Sequence, residues 1–305
     1  MYFSICIPAY NRAHTISRTL DSLVKQTFKD FEVIVVDDGS KDDTEKVVLQ
    51  YKSLVALKYV KKENGGKHTA LNKGIDEASG LFFMILDSDD WLVDTALELL
   101  HSLCEKIKDN EKYSGVLCRC VNNETGEIIG DSIPEEYESL SYIDMHFSLR
   151  TKRVNLGDCC ECNKTHILKK YRFPEEVGMK FVPEAWMFDQ IGVNHLLLTS
   201  NIGVKICEYQ AGGITLDTNF KTKNNSGYLY HYVSRIENIL PNIKHSIKDE
   251  IIAWWRYWEC VNKDIYNIGQ RVKKVSFVGH LVKVGMPAIN MFYQIRYRDL
   301  YKSGR

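Results

Sequence analysis

Four short apolar runs alternate with helix-like hydrophobic patterns along residues 2–86, and this alternation limits the possible folds more than any other feature. The runs cover residues 2–7, 32–36, 55–60 and 81–86. Their length and their β-branched and aromatic content are typical of buried strands. Between them, apolar residues recur at helical spacing, as at Ile16, Leu20 and Leu23. Alternating strands and helices predict an α/β fold with a mostly parallel sheet covered on both faces.

The pattern changes near residues 215–225. A strand-like run at residues 202–209 precedes this point, and long amphipathic helical patterns rich in aromatic residues follow it. We therefore expect an α/β domain at residues 1–220 and a helical appendage at residues 221–305.

Composition excludes several protein classes. The chain has 305 residues, no net charge and 44% hydrophobic residues, so its overall charge does not indicate a nucleic-acid partner. Its nine cysteines lie mostly in apolar runs and predict buried thiols in a reducing cytoplasm. The first residues lack the features of a signal peptide, and no run approaches the ~18 apolar residues of a membrane span. We expect a cytoplasmic protein.

Three carboxylates follow the fourth predicted strand, in Leu86-Asp87-Ser88-Asp89-Asp90. Ligands of open α/β sheets bind at the carboxyl ends of the strands. Because no Lys or Arg is adjacent in sequence, we expect the carboxylates to repel one another unless a cation lies among them. Divalent cations prefer carboxylate oxygens and complete their shell with substrate phosphates. The turn therefore predicts a metal site, although one acid could instead cap a helix.

Two other strand ends carry polar residues at the same predicted edge of the sheet. Asp37 and Asp38 follow the second strand, where they could accept hydrogen bonds from a base or a ribose. An ordinary strand–turn–helix joint would explain them equally well. We expect Pro8 to end the first strand, with the aromatic Tyr10 and with Arg12 just beyond it.

Two glycines and a lysine precede the third predicted helix, in Asn64-Gly65-Gly66-Lys67, and that helix carries Asn72. Backbone N–H groups and a positive charge at a helix start suit a phosphate group. The spacing is not that of a P-loop.

In this order, the four segments resemble the family 2 inverting glycosyltransferases of bacterial surface-polysaccharide synthesis. The segments are residues 4–12, residues 35–40, residues 64–67 with 70–75, and residues 86–90. The resemblance covers roughly residues 1–215. It implies a Rossmann-like GT-A fold, a UDP-sugar donor of the hexose or N-acetylhexosamine class, Mn²⁺ or Mg²⁺, and a saccharide or lipid-linked saccharide acceptor.

The same resemblance implies roles for single residues. The residues implied in donor binding are Pro8, Tyr10, Arg12, Asp37, Asp38, Lys67, Asn72, Asp87 and Ser88. Those before residue 40 would line the nucleoside pocket. Lys67 and Asn72 would approach the diphosphate or ribose, and Asp87 the sugar or ribose. Asp89 would hold the metal at the diphosphate.

The catalytic base is harder to place. Members of the family carry a Glu-Asp pair that opens a helix, and the second acid deprotonates the acceptor hydroxyl. Residues 181–189 lack this pair, and alignment of the following helix puts Glu184 at the base position after Pro183. Asp189, on a different helical face, is the alternative. Glu184 could also be only an acid that a helix dipole stabilises.

Two other functions stay open. A sugar nucleotidyltransferase would share the fold and the metal, but it would begin with a glycine-rich basic loop, unlike residues 8–12. A catalytically silent protein that binds nucleotides or carbohydrates is the other alternative, because the Glu-Asp pair is missing.

Residues 271–305 contain eight Lys or Arg residues and one acid. Apolar residues such as Phe277 and Leu281 are interleaved with these charges, which is typical of a helix at an anionic membrane surface. The segment therefore predicts peripheral contact with the inner face of the plasma membrane, or else a helix that packs on the catalytic domain.

Three weaker patterns have simpler interpretations. Residues 158–162 hold three cysteines but lack the second ligand pair of a zinc site, so buried thiols are expected. The aromatic residues at 254–258 predict a core face rather than a sugar platform. The glycine-containing loop 210–215 could close over a diphosphate or form an ordinary turn.

Overall fold

Four parallel strands form the part of the sheet that the sequence predicts. The computed structural model describes residues 1–149, 152–208, 219–263 and 270–302. Its first strands are β1 (Phe3–Ala9), β2 (Phe31–Asp37), β3 (Leu57–Lys61) and β4 (Phe82–Ile85). β1 pairs in parallel with β2 and with β4, and β2 pairs in parallel with β3. Parallel pairing brings the four carboxyl ends to one edge of the sheet, as expected.

Helices connect and follow these strands. They are α1 (Ile16–Val24), α2 (Thr44–Leu49), α3 (Lys67–Glu77) and α4 (Ala96–Glu105). Ile16, Leu20 and Leu23 of α1 are fully buried in the main hydrophobic core, since their helical spacing puts them on one face. The predicted α/β class is therefore confirmed for this part of the chain.

The second half of the sheet was only partly apparent from the sequence, through the strand-like run at residues 202–209, which overlaps its last strand. It contains β5 (Trp91–Leu92), β6 (Tyr113–Asn122), β7 (Ser139–Leu140), β8 (Cys159–Lys164) and β9 (Leu196–Cys207). The strand order is β3-β2-β1-β4-β8-β6-β9-β5, with β7 paired to β9. β8 lies antiparallel between β4 and β6. Helices α5 (Thr165–Leu168) and α6 (Ala185–Gly192) lie between β8 and β9 in the chain.

The sequence predicted that Pro8 ends β1, and this prediction is wrong. The strand continues to Ala9, and Pro8 stays in register with Val36 of β2. On the other side, β4 pairs with β1 only as far as Cys6. Because proline lacks an N–H group, it is tolerated where one side of a strand has lost its neighbour.

The chain divides into two compact units, Met1–Phe220 and Lys221–Arg305. The helices of the second unit are α8 (Asn225–Ser234), α9 (Ile247–Lys263) and α10 (Phe277–Lys302), after the short α7 (Phe220–Lys223) at the boundary. Trp254 and Trp258 of α9 are buried in the core of this unit with Val282 and Met286 of α10. The aromatic run is thus a core face, as predicted.

Burial of the cysteines is also confirmed. All nine are free thiols in the interior. Among the described residues, no group of three or more His, Cys, Asp or Glu side chains could hold a metal ion by itself. Within the same residues, no helix has the length and apolar character needed to cross a bilayer.

Candidate functional site

The acidic turn after β4 is paired with basic residues, contrary to the sequence expectation. The pairs are Lys67 Nζ–Asp87 Oδ1 at 2.6 Å, Arg12–Asp89 Oδ2 at 3.9 Å and Lys205 Nζ–Asp90 Oδ2 at 3.6 Å. The three cations come from the start of α3, the loop after β1 and strand β9. Since none is near the turn in sequence, only the tertiary fold could supply them.

The carboxylates of the turn differ in their electrostatic environment. Burial would raise the pKa of Asp87, but the charges of Lys67 and Lys205 outweigh it and hold that pKa below its usual range. Burial and the charge of Asp87 raise the pKa of Asp89. Burial, partly countered by Lys205, raises the pKa of Asp90 to about 6. Asp89 therefore carries the least compensated exposed charge of the turn.

Asp89 fits a divalent cation that has few protein ligands and takes its other ligands from the substrate. Its pKa is raised, and its basic partner Arg12 lies at the outer limit of an ion pair. A cation would relieve this repulsion. Mg²⁺ commonly takes one or two protein carboxylates and fills its shell with substrate phosphates and water.

Asp37 and Asp38 are bonded within the protein. Asp37 is buried and accepts hydrogen bonds from Ser40 N, at 2.7 Å, and from the Tyr59 hydroxyl. Asp38 accepts from Gly65 N at 2.8 Å and Gly66 N at 2.7 Å, and pairs with Lys62. In this structure, both acids organise loops at the carboxyl edge of the sheet. Their predicted contact with a nucleoside stays a prediction.

The loop after β1 exposes its aromatic residue. Tyr10 is 44% exposed, and its predicted contact with a nucleoside stays a prediction. Asn11 fixes the loop, because its N–H donates to Ser40 Oγ at 2.9 Å and its side chain accepts from Lys41 N at 2.8 Å. Arg12 is half-buried beside Asp89.

Two of the predicted donor residues are poorly placed for a ligand. Ser88 is buried. Asn72 is also buried, and its amide donates to Phe173 O at 3.0 Å and Glu175 Oε1 at 2.6 Å while accepting from Phe173 N. In this structure the Asn72 amide fixes the segment after α5, and its predicted approach to the diphosphate or ribose stays a prediction.

The structure separates the two candidate bases. Glu184 is the N-cap residue of α6, and its Oε1 lies 2.7 Å from Lys67 Nζ, so it belongs to the acidic site. Asp189 is 1% exposed, and its Oδ1 lies 2.5 Å from His146 Nδ1. The burial of Asp189 and the place of Glu184 beside Lys67 favour Glu184 as the candidate base, and the choice between the two acids stays a prediction.

Two charged residues near the site were missed by sequence analysis. Lys205 lies in β9, and interactions with Cys120 and with its ion-pair partner Asp90 keep its pKa well above the usual range despite burial. Glu161 lies in β8, where burial, with a smaller contribution from Glu184, raises its pKa to about 7 against the charge of Lys205. The available signal was a single charge inside an apolar strand, as in Val204-Lys205-Ile206. The loop 210–215 lies outside the described residues.

Comparison with known proteins identifies the fold and the family. The description "Glycosyl transferase family 2" belongs to the family model that matches residues 4–171. A Campylobacter jejuni protein named GalNAc(5)-diNAcBac-PP-undecaprenol beta-1,3-glucosyltransferase is 34% identical over 176 residues, which are 57% of this chain and 55% of that protein. The chain spans only part of the length of the curated relatives it matches, from 14% to 55% among those compared.

Two solved structures share the fold. S. aureus TarS 1-349 in complex with UDP-GlcNAc has a TM-score of 0.60 at 20% identity, over 94% of this chain and 79% of that chain. Mannosyltransferase PcManGT from Pyrobaculum calidifontis in complex with GDP-Man and Mn²⁺ has a TM-score of 0.60 at 18% identity, over 99% and 83%. The predicted GT-A fold is thereby confirmed.

Proposed function

This chain belongs to glycosyl transferase family 2, and from that premise we propose that it transfers a sugar from a nucleoside-diphosphate sugar to a hydroxyl group, with inversion at the anomeric carbon. The donor is a UDP-hexose or UDP-N-acetylhexosamine. The acceptor is a saccharide or a lipid-linked saccharide of a cell-surface polysaccharide. The observation that carries the proposal is the grouping of Asp87, Asp89 and Glu184 around Arg12 and Lys67 at the carboxyl edge of the sheet.

The comparisons supply the substrate classes. The Campylobacter jejuni relative is named for an undecaprenol-linked acceptor. S. aureus TarS was solved with UDP-GlcNAc. Both substrates suit this site. The exposed ring of Tyr10 can stack on the nucleobase of the donor, and Glu184, the proposed general base, lies across from the donor-binding acid Asp87.

Glu184 acts as the general base. Its carboxylate accepts the proton of the acceptor hydroxyl while the hydroxyl oxygen forms a bond to the anomeric carbon. The bond between that carbon and the diphosphate oxygen breaks, and the nucleoside diphosphate leaves with the electron pair. A single displacement from the opposite face inverts the configuration and needs no covalent intermediate.

Asp89 would hold a divalent cation, Mn²⁺ or Mg²⁺, together with phosphate oxygens of the donor. When bound, the cation neutralises charge on the leaving diphosphate. Asp89→Asn removes the ligand charge, so Mn²⁺ binding in the presence of UDP should weaken at least tenfold, as measured by electron paramagnetic resonance. Unchanged Mn²⁺ binding would exclude Asp89 as the ligand.

A transfer assay with a panel of nucleotide sugars and Mn²⁺ tests the proposed activity. We expect one UDP-sugar to be turned over and to raise the melting temperature. Donor binding without transfer or hydrolysis would favour a silent binding protein, and release of pyrophosphate from a sugar phosphate and UTP would favour a nucleotidyltransferase.

Residues 221–305 bring the enzyme to its acceptor at the inner face of the plasma membrane. On α10, Phe277, Leu281, Val284 and Met291 lie at helical spacing and are exposed, Phe277 by 77% and Val284 by 83%. The opposite face of the helix is buried in its own unit. Exposed Lys273 and Lys274 precede this apolar stripe, and together they suit an anionic lipid surface. Binding to anionic liposomes that weakens with salt is expected; a protein that does not sediment with them at low salt would contradict it.

A further inference from the structure

The loop at residues 64–67 packs directly on the segment that leads to Glu184. Gly66 has a φ of 98°, and a Cβ added to it would lie 1.8 Å from the carbonyl oxygen of Lys180. Lys180 Nζ donates to Asn64 O at 2.5 Å. A close backbone contact and a hydrogen bond thus join the two segments four residues before the base.

The same loop is held from its other side by Asp38. The two oxygens of this carboxylate accept the N–H groups of Gly65 and Gly66. Asp38 is itself buried and tied to Lys62. The loop is therefore fixed between the end of β2 and the segment before α6. These contacts hold the backbone from which Lys67 extends.

Lys67 is the last residue of this loop, and its ammonium group contacts acidic residues on both sides of the site. Its Nζ lies 2.6 Å from Asp87 Oδ1 and 2.7 Å from Glu184 Oε1. The attraction to both carboxylates raises the pKa of Lys67 in spite of burial, so the ammonium stays charged. The described residues make no hydrogen bond to Oε2 of Glu184, which leaves that oxygen for the acceptor proton.

We propose that Lys67 is a positioning residue, which holds Glu184 at a fixed place beside the donor-binding acid Asp87, and not a ligand of the diphosphate. The inference rests on the proposed function. Without the ammonium, two like charges would face each other with no cation between them, and Glu184 would move away from Asp87. A base displaced by about 1 Å can cost about 100-fold in rate without any loss of substrate binding.

The test compares Lys67→Met, Lys67→Arg and, as a matched control, Lys73→Met. Lys73 lies on the same helix and pairs with Glu77 at 2.6 Å on the surface. Lys67→Met should lower kcat about 100-fold while the KM for the donor and the Kd of UDP change less than threefold. Lys67→Arg, which can still bridge two carboxylates, should restore at least a tenth of the wild-type kcat. Lys73→Met should match the wild type.

A Lys67→Met variant with unchanged kcat and a donor KM raised tenfold or more would overturn the proposal, since that pattern identifies a diphosphate ligand. Hydrogen exchange gives a readout that does not need turnover. Lys67→Met should speed exchange in residues 180–188 and Lys73→Met should not; equal exchange in all three proteins would also overturn the proposal. Absence of transfer by the wild type with every donor would instead reject the proposed function.

Discussion

At the scale of single residues, Glu184 is the side chain on which the proposed chemistry depends most. Glu184→Gln keeps the size of the side chain but removes its ability to accept a proton. Because general-base catalysis contributes about 10²–10⁴ in rate, we expect kcat to fall by at least 100-fold. The Kd of UDP, measured by calorimetry, should change less than threefold, since the base acts in the transition state.

Asp189→Asn is the matched control for that variant. Asparagine can still bond to His146, which faces Asp189 in the interior. This variant should keep kcat within about tenfold of the wild type, even where its melting temperature falls. If Asp189→Asn were inactive and Glu184→Gln active, the assignment of the base would be reversed.

His68 makes the stability of the first unit depend on pH. Neither ring nitrogen has a hydrogen-bond partner among the described residues, and the ring packs beside Phe173. Burial, countered by Glu175 and Asp38, lowers the pKa of His68 from 6.5 to about 4. Between these values the unfolded chain binds the proton and the folded chain does not, so stability falls as the pH drops from about 6.5 towards 4.

His68→Leu, which cannot bind a proton, should reduce this acid loss. About 1 kcal/mol moves the melting temperature of a domain of this size by about 2–4 °C. We therefore expect the fall in melting temperature between pH 7.5 and pH 5 to shrink by a few degrees in the variant. Replacement of the exposed His14 by Leu should leave the fall unchanged; an equal fall in both variants and the wild type would contradict this account of His68.

At the scale of elements, the loop 64–67 joins β3 to α3 and packs between the end of β2 and the segment before α6. Gly66→Ala places a Cβ against Lys180 O and forces a positive φ on alanine. We expect a loss of more than about 3 kcal/mol in the free energy of unfolding, since strained φ values alone cost about 1–3 kcal/mol. Denaturant unfolding measures the loss, and kcat should fall as well.

Gly126→Ala separates backbone strain from the steric clash. Gly126 also has a positive φ, of 70°, but an added Cβ would meet nothing within 4 Å. The free energy of unfolding of Gly126→Ala should fall only by the amount expected for backbone strain alone, and kcat should be unchanged. Equal losses for the two glycine variants would show that the contact with Lys180 is unimportant.

At the scale of the whole molecule, we predict that the exposed apolar stripe of α10 decides which acceptors the protein can use. The double variant Phe277→Ser, Val284→Ser should no longer bind liposomes. Its activity on an acceptor embedded in liposomes should fall at least tenfold. Its activity on a water-soluble acceptor should be unchanged, because the catalytic residues lie in the first unit.

Ile247→Ser is the control for the stripe. Ile247 is 62% exposed but begins α9 and lies outside the stripe. It should bind liposomes like the wild type. If Ile247→Ser weakened binding as much as the double variant, general surface hydrophobicity rather than the stripe would explain the result.

The sequence alone determined the family, the parallel strands β1 to β4 and the location of the acidic turn, because these depend on local hydrophobic periodicity and on short motifs. It could not show β8 between β4 and β6, since strand pairing over long separations leaves no local pattern. Tertiary structure alone supplied the cations beside the acidic turn. It also buried Asn72 and Asp189 and left Glu184 bonded to Lys67, because partners far apart in the chain decide burial and ion pairing.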